Sequence, residues 1–500
     1  MKKFLFSILL IILFTYNAIS QTIFYVDASL GNDSYSGTIS QPFKTIYKGV
    51  SALGSNIGTI YLREGTHYST SKISLTKNGQ ANQFIKIWAY QNEKVIVDFT
   101  GTTSDGFSIS GSYYHLKGLD VRKAGHNGIN ISGNYNIVEN CITQSCGNTG
   151  LHLTGSVEPG PSNNLILNCD SFYNFDSPIG GNADGFSAKW TVGSGNIFRG
   201  CRAWNNSDDG WDLWMCTGSI VIDSCYAFRN GIDIWHTGQV DGNGNGIKLG
   251  GNNVATPHIV KNCVAFDNAG NGGKGFDENN NLAGQTLYNC TAFRNQSYNY
   301  ALYNNPLTSG SHIVKNCISY LPGKADVIVN AYQAKNSWIG FTFSSEDFKS
   351  LDTTGCTAAR DINGKLLSSD FLRLCSGSVF IDAGVNIGTP YSGTAPDFGA
   401  FEYGYIPSDI EDKRFSAESA FSFPNPFENE IVVSFNSTSW TNATVTIYSI
   451  VGETVAHYKV STEGNSQFLQ KIDTQNWEKG TYLCRIATQK TTNTIKMIKL

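Results

Sequence analysis

The sequence predicts an all-β protein whose main part is a parallel β-helix, a solenoid in which every coil contributes short strands. Three observations favour this fold. Gly accounts for 52 of 500 residues and charged residues for only 15%, a composition typical of short strands joined by tight turns. Apolar residues alternate over short stretches, and no amphipathic helical pattern separates them. One short motif also recurs at a variable spacing, as it does in solenoids.

The recurring motif places two or three apolar residues, then usually an Asn or a small residue, before a cysteine. It is found at Cys141, Cys169, Cys201, Cys225, Cys263, Cys290 and Cys317. We expect these side chains to point inward and to stack, one on each coil, about 4.8 Å apart. Free cysteine behaves as a small hydrophobe, so we predict buried, reduced thiols. Cys356 and Cys375 lie outside the repeat and are the best candidates for one disulfide.

A second motif consists of a polar residue, Gly, an apolar residue, a variable residue and usually another apolar residue. The apolar positions, such as Trp211, must face the core, so the variable position faces outward. On successive coils this outward column comprises Ser108, Asn130, His152, Ser187, Asp212, Lys248 and Asp277. Asp184 and Asp209 begin two of these segments. Residues far apart in the chain should therefore converge on one face.

The two ends of the chain differ from the repeat. Residues 1–20 combine a basic start, an apolar run and a small-x-small end, which is typical of a secretory signal peptide. The β-helix is predicted over residues 21–402, with the helix-like stretch Phe43–Leu53 as its N-terminal cap. Residues 403–420 form a polar linker, and residues 421–500 alternate as the strands of a small β-sandwich domain do.

The C-terminal segment resembles the sorting domain of the type IX secretion system of Bacteroidetes. The resemblance is carried by Phe423–Phe427, the turn at Val451, Gly480–Leu483 and a terminal strand that ends in Lys-Leu. It implies that the type IX machinery is a partner and that the protein is secreted, either to the medium or to the cell surface. The alternative is an ordinary accessory β-sandwich that binds carbohydrate.

Overall charge and composition narrow the range of partners. The net charge is −4, so the chain carries no electrostatic footprint of a nucleic-acid-binding protein. We therefore expect no nucleic-acid partner, and we expect a monomer.

Four carboxylates are predicted to share the outward face: Asp184, Asp208, Asp209 and Asp212. Like charges at close range raise one another's pKa or require a cation. The same segments contain few basic residues, namely Lys189, Arg199 and Arg202. Hard carboxylate oxygens select Ca²⁺, Mg²⁺ or Mn²⁺, and an extracellular site with four of them favours Ca²⁺. The alternative is that Asp208 and Asp209 only form a local turn before Gly210.

Lys248 is predicted one coil away from these carboxylates. A bound divalent cation would lower the pKa of this lysine and so suit it to act as a general base. An anionic polysaccharide uses both groups, because the cation binds a uronate carboxylate and the lysine removes the proton beside it. A hydrolase would instead need two carboxyl groups facing each other across the scissile bond. The Asp cluster leaves that alternative open, although Lys248 favours the lyase.

The segments that carry these residues resemble polysaccharide lyase family 9, whose members are right-handed parallel β-helix pectate lyases. The motifs are Asn182–Phe186, Cys201–Asp212 and Gly246–Gly251. The resemblance implies a calcium-dependent pectate lyase that cleaves polygalacturonate by β-elimination. It places the four aspartates at the calcium-ligand positions and Lys248 at the position of the base that takes the C5 proton.

Two alternatives to pectate lyase remain. The family also contains rhamnogalacturonan lyases that share the same motifs. A non-catalytic, calcium-stabilised solenoid that binds glycans or acts as an adhesin is the other alternative, but it would not need a lysine beside the metal.

Further residues are candidates for a substrate groove: His152, Ser187, Lys274 and Asp277. His152 would otherwise be an ordinary surface histidine. Arg202 and Arg229 follow repeat cysteines and could pair with uronates from another face.

Overall fold

The computed structural model describes residues 22–404, 420–423, 430–437, 441–450, 452–462, 466–487 and 492–499, apart from 82, 239, 305–309, 362 and 367–368. The predicted signal peptide, nearly all of the linker, residues 424–427 of the first sorting-domain motif and Val451 lie outside the described residues. No helix in the described part is long and apolar enough to cross a membrane.

Short strands dominate residues 22–334. In chain order they are β1 (Thr22–Val26), β2 (Gly58–Leu62), β3 (Gly65–Tyr68), β4 (Ile73–Leu75), β5 (Ile85–Ala89), β6 (Val95–Asp98), β7 (Phe107–Ile109), β8 (Tyr114–Lys117), β9 (Leu119–Arg122), β10 (Ile129–Ile131), β11 (Ile137–Glu139), β12 (Ile142–Gln144), β13 (Leu151–Leu153), β14 (Leu165–Leu167), β15 (Asp170–Phe172), β16 (Phe186–Ala188), β17 (Asn196–Arg199), β18 (Arg202–Trp204), β19 (Trp211–Asp212), β20 (Ile220–Asp223), β21 (Tyr226–Phe228), β22 (Ile247–Lys248), β23 (Ile259–Lys261), β24 (Val264–Phe266), β25 (Phe276–Asp277), β26 (Thr286–Tyr288), β27 (Thr291–Phe293), β28 (Tyr300–Leu302), β29 (His312–Lys315), β30 (Ile318–Tyr320), β31 (Val327–Ile328) and β32 (Ala331–Ala334).

These strands form three parallel sheets that run the length of a β-helix. Sheet 1 has the order β1-β2-β5-β8-β11-β14-β17-β20-β23-β26-β29-β32. Sheet 2 has the order β4-β7-β10-β13-β16-β19-β22-β25-β28-β31, and sheet 3 the order β3-β6-β9-β12-β15-β18-β21-β24-β27-β30. Most coils contribute one strand to each sheet, so residues at equivalent positions of consecutive coils become neighbours. The predicted fold class is confirmed.

The helical cap is shorter than the sequence pattern. Helix α1 spans Ile46–Ala52, and the Thr45 hydroxyl caps its N-terminus by accepting a hydrogen bond from the backbone N–H of Lys48. Ile46 and Leu53 are buried against the first coils. Two 3₁₀ turns, Tyr90–Asn92 and Ser345–Asp347, are the other helical elements among the described residues.

The repeat cysteines stack inside the solenoid, as predicted. The backbone N–H groups of Cys169, Cys201 and Cys225 each donate to the Sγ of the cysteine one coil further on, at 3.4 Å. All 12 cysteines of the chain are free thiols. The prediction of a disulfide between Cys356 and Cys375 is therefore wrong. The Sγ of Cys375 instead donates to the carbonyl oxygen of Glu346.

Buried asparagines form a second ladder, at the corner between sheet 3 and sheet 2. The side-chain amide of each residue donates to the side-chain oxygen of the next at 2.8–3.0 Å, in the order Asn174, Asn206, Asn230, Asn268, Asn295 and Asn299. Each amide in this row also satisfies backbone groups of the corner, as when Asn206 donates to the carbonyl oxygen of Ser171 at 3.2 Å. The ladder fixes where each coil turns into sheet 2, which is the sheet that carries the acidic residues.

The chain after β32 returns along the outer face of sheet 3. Aromatic rings on that face stack from coil to coil, with Trp204 5.6 Å from Phe228 and Phe228 4.7 Å from Phe266. Residues such as Phe371 cover them. We call residues 341–401 the covering segment.

The two arginines proposed to meet uronates lie under this covering segment. Arg202 pairs with Asp170 at 2.6 Å and donates to the carbonyl oxygens of Cys356 and Ala358. Arg229 donates to the hydroxyl of Thr353 at 2.7 Å. The hypothesis that these arginines bind substrate is therefore wrong, because they are used to hold the covering segment on the coils.

The C-terminal strands are antiparallel and form two small sheets. They are β33 (Ala420–Phe423), β34 (Glu430–Ser437), β35 (Thr441–Ser449), β36 (Thr454–Thr462), β37 (Ser466–Asp473), β38 (Gly480–Ala487) and β39 (Thr492–Lys499). One sheet has the order β33-β34-β37 and the other β36-β35-β38-β39. Apolar side chains of both sheets, including Val433 and Val445, share one buried cluster. This arrangement is the predicted β-sandwich.

Candidate metal and active site

The outward column lies on one line of register partners in sheet 2. The backbone positions pair in the order Ser108, Asn130, His152, Ser187, Asp212, Lys248 and Asp277. These side chains point away from the core, but Asp212 is only 2% exposed and Lys248 only 6%. The column is therefore the floor of a recess, in which charges are screened much less than on an open surface.

A glycine before each strand of the column lets consecutive coils approach closely. A Cβ atom on Gly210 would lie 2.5 Å from the carbonyl oxygen of Gly246, which is far inside van der Waals contact. Trp211 follows and points into the core, fully buried, with its ring 4.8 Å from that of Phe186. The motif thus fixes the direction of two side chains: that of Asp209, just before Gly210, and that of Asp212, two residues after it.

The four predicted acidic residues converge. Asp184, Asp208, Asp209 and Asp212 each offer a carboxylate oxygen within 4.8 Å of the others, and all four side chains are buried. They reach this point from two coils, since Asp184 precedes β16 and the other three lie at or next to β19.

Backbone and hydroxyl donors hold one oxygen of Asp208, Asp209 and Asp212, and both oxygens of Asp184, whose Oδ1 accepts from the backbone N–H of Asp209 at 3.3 Å. Asp208 Oδ1 accepts from the backbone N–H of Asn243 at 2.6 Å, and Asp209 Oδ1 accepts from that of Asn245 at 2.7 Å. Asp212 Oδ1 accepts from the N–H of Trp214 at 2.9 Å. The Thr149 hydroxyl donates to Asp184 Oδ2 at 3.0 Å.

Two lysines enter the cluster. The Nζ of Lys248 lies 3.1 Å from Asp209 Oδ2 and 3.4 Å from Asp212 Oδ2, and it donates to Asn243 Oδ1 at 3.2 Å. The Nζ of Lys189 lies 2.8 Å from Asp184 Oδ2 and 2.7 Å from Asp212 Oδ2. Asp212 therefore meets both ammonium groups through the same oxygen.

Burial raises the pKa values of these aspartates, whereas the neighbouring ammonium groups lower them. Burial, together with the neighbouring Asp212 and Asp209 carboxylates, raises the pKa of Asp184 to about 7, although the Lys189 ammonium acts against this. Burial and Asp209 also raise the pKa of Asp208 well above its ordinary value. Burial acts to raise the pKa of Asp212 too, but Lys189 and Lys248 hold it below the usual range. The cluster thus contains carboxylates that resist ionisation in the absence of further positive charge.

The donor set suits a hard divalent cation. Asp209 Oδ2 is buried and lies 3.1 Å from the Lys248 ammonium, so a cation bound there would share this oxygen with the lysine. Four carboxylates and two ammonium groups sum to a charge of −2, which one divalent ion balances. All four acids offer oxygen ligands, the type that Ca²⁺ and Mg²⁺ prefer.

A cavity of about 330 Å³ opens over the cluster. On one side it is bordered by Trp190 and Trp214, whose rings meet edge to face at 6.1 Å. His126 and Asn182 border it elsewhere, and the side chains of Lys189 and Lys248 reach into it. A polymer bound there would meet both lysines and the acids together.

Comparison with known proteins agrees with this geometry. Residues 24–316 match the family described as "Pel9A-like, right handed beta helix region". The chain belongs to this family.

Relatives of this Pel9A-like chain include pectate lyase L from Dickeya chrysanthemi, 37% identical over 358 residues that make up 69% of this chain and 82% of the relative. Pectate lyase L from Dickeya dadantii is 38% identical over 399 residues, 77% of this chain and 91% of the relative.

Two solved structures share the fold over most of their length. The crystal structure of pectate lyase Pel9A superposes with a TM-score of 0.71 at 36% identity, covering 77% of this chain and 97% of that one. A rhamnogalacturonan lyase superposes with a TM-score of 0.59 at 28% identity, covering 71% and 96%.

Residues 422–500 match a secretion system C-terminal sorting domain. The Pel9A-like β-helix is therefore joined to a segment that directs export, and the protein is located outside the cell or on its surface.

The other predicted groove residues of this Pel9A-like chain lie on the same sheet as the acids but are already paired. His152 shares a hydrogen bond with the Ser187 hydroxyl and is 6% exposed, so it is not an ordinary surface histidine. Burial and the Lys189 charge lower the pKa of His152 to about 3, which keeps the ring neutral. Lys274 lies one coil beyond Lys248 and binds Asp277 at 2.8 Å. None of these side chains contacts the four carboxylates directly, yet His152 borders the cavity.

Sequence reasoning missed two residues that the structure brings into the site. Lys189 follows the last residue of β16 and was noted only as one of few basic residues nearby. Thr149 holds the polar position of the repeat motif one coil before Asp184, and that position was itself a usable signal. Equivalent polar positions become neighbours in a parallel sheet, so Thr149 could have been placed beside Asp184.

Proposed function

We propose that this protein is a secreted, calcium-dependent pectate lyase that cleaves polygalacturonate by β-elimination. The observation that carries the proposal is Lys248, whose Nζ lies 3.1–3.4 Å from two carboxylates of a buried four-Asp cluster. The relatives named pectate lyase support the substrate, and the sorting domain supports export through the type IX secretion machinery. In this proposal residues 1–20 are the signal peptide, 21–402 the catalytic domain, 403–420 the linker and 421–500 the sorting domain.

Calcium would be held by Asp184, Asp208, Asp209 and Asp212. When bound, the ion would draw charge from the carboxylate of a uronate and so acidify the proton on the adjacent carbon. Backbone donors of Asn243, Asn245 and Trp214 already orient three of the carboxylates, leaving their other oxygens for ligation. The backbone thus already orients these carboxylates, and the two ammonium groups that meet Asp212 Oδ2 would share it with the ion or move away.

Lys248 would take the C5 proton as a free amine. Burial acts to lower the pKa of Lys248, but the carboxylates of Asp209 and Asp212 raise it well above its ordinary value. The amine form therefore requires that the charge of those carboxylates is compensated, which makes the base dependent on a filled site. The lowered pKa that the sequence predicts for Lys248 therefore applies only when the cation fills the site.

The elimination balances without water. The C5–H electron pair becomes the C4–C5 double bond, the bond from C4 to the glycosidic oxygen breaks with its electron pair on oxygen, and that oxygen takes up a proton from solvent or from the Lys248 ammonium. The proton lost from C5 remains on the Lys248 ammonium, from which it can pass to the product or to solvent. The product therefore carries an unsaturated uronate at its new end.

A hydrolase is not supported by the acidic cluster. Inverting glycosidases place their two carboxyl groups about 6.5–9.5 Å apart on opposite sides of the bond, and retaining enzymes about 5–5.5 Å apart. Here all four carboxylates gather on one floor, with two lysine ammonium groups among them, and do not form a pair that faces across a groove. A solenoid that only binds glycans would have no use for Lys248 in this place.

Rhamnogalacturonan lyase is the second candidate, since a rhamnogalacturonan lyase shares the fold at 28% identity. One experiment separates the candidates. The purified full chain is incubated with polygalacturonate and with rhamnogalacturonan, with calcium or with chelator, and ultraviolet absorbance of unsaturated product is followed. We expect calcium-dependent product from polygalacturonate. Product from rhamnogalacturonan alone would select the second candidate, and no product from either would end the lyase proposal. Light scattering would test the predicted monomer.

A further inference from the structure

Lys189 is a second lysine inside the acidic cluster, and the proposed mechanism gives it no task. Its Nζ lies 2.8 Å from Asp184 Oδ2 and 2.7 Å from Asp212 Oδ2. Those two carboxylates come from different coils, so the ammonium group joins neighbouring coils across sheet 2. The contacts are at least as short as those of Lys248 with the same cluster.

We infer that Lys189 is a built-in competitor of calcium, because its ammonium group binds two of the four carboxylates that would ligate the ion. This inference rests on the proposed calcium site. Its consequence is that Lys189 sets the calcium concentration at which the site fills.

The position of Lys189 lets it bind the acids and also withdraw from them. Its backbone N–H donates to the carbonyl oxygen of Leu153 at 3.1 Å, so the root of the side chain is fixed to the sheet. Its side chain is 12% exposed and borders the 330 Å³ cavity. A lysine ammonium is a compact charge on a flexible four-carbon stem. The stem therefore has room to move its charge from the carboxylates towards the cavity.

Electrostatics give the sign of the effect. A divalent ion bound by Asp184 and Asp212 would come close to an ammonium that contacts the same two oxygens. Like charges repel strongly in a buried, weakly screened site. Either the ion binds against this repulsion or the ammonium moves away, and both lower the affinity. Removing the Lys189 charge should therefore tighten calcium binding, whereas removing a residue that merely supports the site would weaken it.

The test measures calcium affinity of the full chain in the absence of substrate. Calcium is titrated by calorimetry into chelator-treated wild type, Lys189→Met, Lys189→Arg and Lys261→Met. Lys261 is a matched control, since it pairs with Asp223 at 3.5 Å on sheet 1, away from the cluster. We expect Lys189→Met to bind calcium at least about tenfold more tightly than wild type, and Lys189→Arg and Lys261→Met to stay within about threefold.

The outcomes separate this inference from the proposed function. Wild type that binds calcium, combined with an equal or weaker affinity of Lys189→Met, would overturn the inference alone. Wild type that binds no calcium would overturn the proposed metal site and the inference with it. If Lys189→Met does not fold without calcium, an NMR measurement on the wild-type protein tests the inference instead. In protein labelled with ¹³C,¹⁵N-lysine, the Lys189 side-chain signal, assigned by its loss in Lys189→Arg, should shift on calcium addition, and an unchanged signal would refute competition.

Discussion

Asp212 and Lys248 are register partners on the adjacent parallel strands β19 and β22, and their charged ends lie 3.4 Å apart. Neither residue can slide relative to the other without breaking the backbone hydrogen bonds between the strands. The separation of the backbone positions of the proposed base and a proposed calcium ligand is therefore set by the β-helix itself. This relationship makes the roles of individual residues testable by single substitutions.

Replacing the proposed base should remove catalysis and leave the metal site. For Lys248→Met we expect a loss of activity of about 10²–10⁴-fold, the usual contribution of general acid–base catalysis. The measurement is the rate of unsaturated product formation at saturating calcium. Lys261→Met, which removes a lysine from the outer face of sheet 1, serves as the control. More than a tenth of wild-type activity in Lys248→Met would show that another group takes the proton.

Removing one proposed ligand should weaken calcium binding. Asp209→Asn keeps an Oδ1 that can accept from the backbone N–H of Asn245, and it removes the charge that Lys248 meets at 3.1 Å. For Asp209→Asn we expect calcium affinity to fall by at least about tenfold, measured by calorimetry. Asp223→Asn is the control, because Asp223 pairs with Arg199 and Lys261 on sheet 1. Equal calcium affinities of Asp209→Asn and wild type would place the ion elsewhere.

The pH dependence of stability should report the buried acids when calcium is removed. The folded-state pKa of Asp184, about 7, exceeds its ordinary value of 3.8. The folded protein then binds more protons than the unfolded chain between roughly pH 4 and pH 7. Its stability should fall as pH rises through this window, by up to about 1.4 kcal/mol per pH unit for this one group.

Urea unfolding in chelator at about pH 5 and about pH 8 measures this slope. The raised pKa values of Asp208 and Asp209 add to it, whereas the lowered pKa of Asp212 affects stability only below about pH 4, outside this window. Asp184→Asn should flatten the slope, and saturating calcium should abolish it because the ion favours the charged carboxylates. Stability that rises with pH across this window in chelator would contradict the prediction.

The asparagine ladder should matter for both stability and the site. Asn206 links Asn174 to Asn230 and lies two residues before Asp208. Asn206→Ala leaves buried partners unsatisfied, so we expect a loss of about 1–3 kcal/mol in the free energy of unfolding. Calcium affinity should fall with it. Asn56→Ala, at an exposed position outside the ladder, should change neither quantity. A ladder variant as stable as wild type would mean that water replaces the lost amide.

The cysteines should behave as core residues. The stacked thiols are free and buried, and burial raises the pKa values of Cys263 and Cys290 well above the ordinary value, which makes their thiolates scarce at neutral pH. We expect a thiol reagent to label the repeat cysteines only after unfolding. Reductant should leave the melting temperature unchanged. A lower melting temperature in reductant would indicate a disulfide.

The column and the convergence of the acids could be predicted because they follow from one short-range rule. A Gly flanked by a polar and an apolar residue recurs on each coil, and alternation along a strand fixes which side chain faces out. Asp212 and Lys248 could thus be aligned without knowing the length of the turns between them. The same rule shows only which face a residue joins. It does not show which side chains will touch.

Lys189 and the covering segment could not be found in this way. Lys189 lies just after β16, where the alternation ends, and the reach of its stem decides its partners. Arg202 occupies a strand position that faces outward, and only residues from beyond the last coil show that its surroundings are protein and not solvent. Contacts made by flexible side chains and by distant segments are absent from a local pattern.

The uneven length of the coils has a practical consequence. Asn206 and Asn230 are 24 residues apart, whereas Asn230 and Asn268 are 38 apart, although each pair spans one step of the ladder. The longer coil accommodates the turn that brings Asn243 and Asn245 to the carboxylates. Residues 232–241 of this turn could be exchanged for those of a relative while the ladder on both sides is kept. Such a graft would show whether a turn of different sequence still brings the donors of Asn243 and Asn245 to the carboxylates.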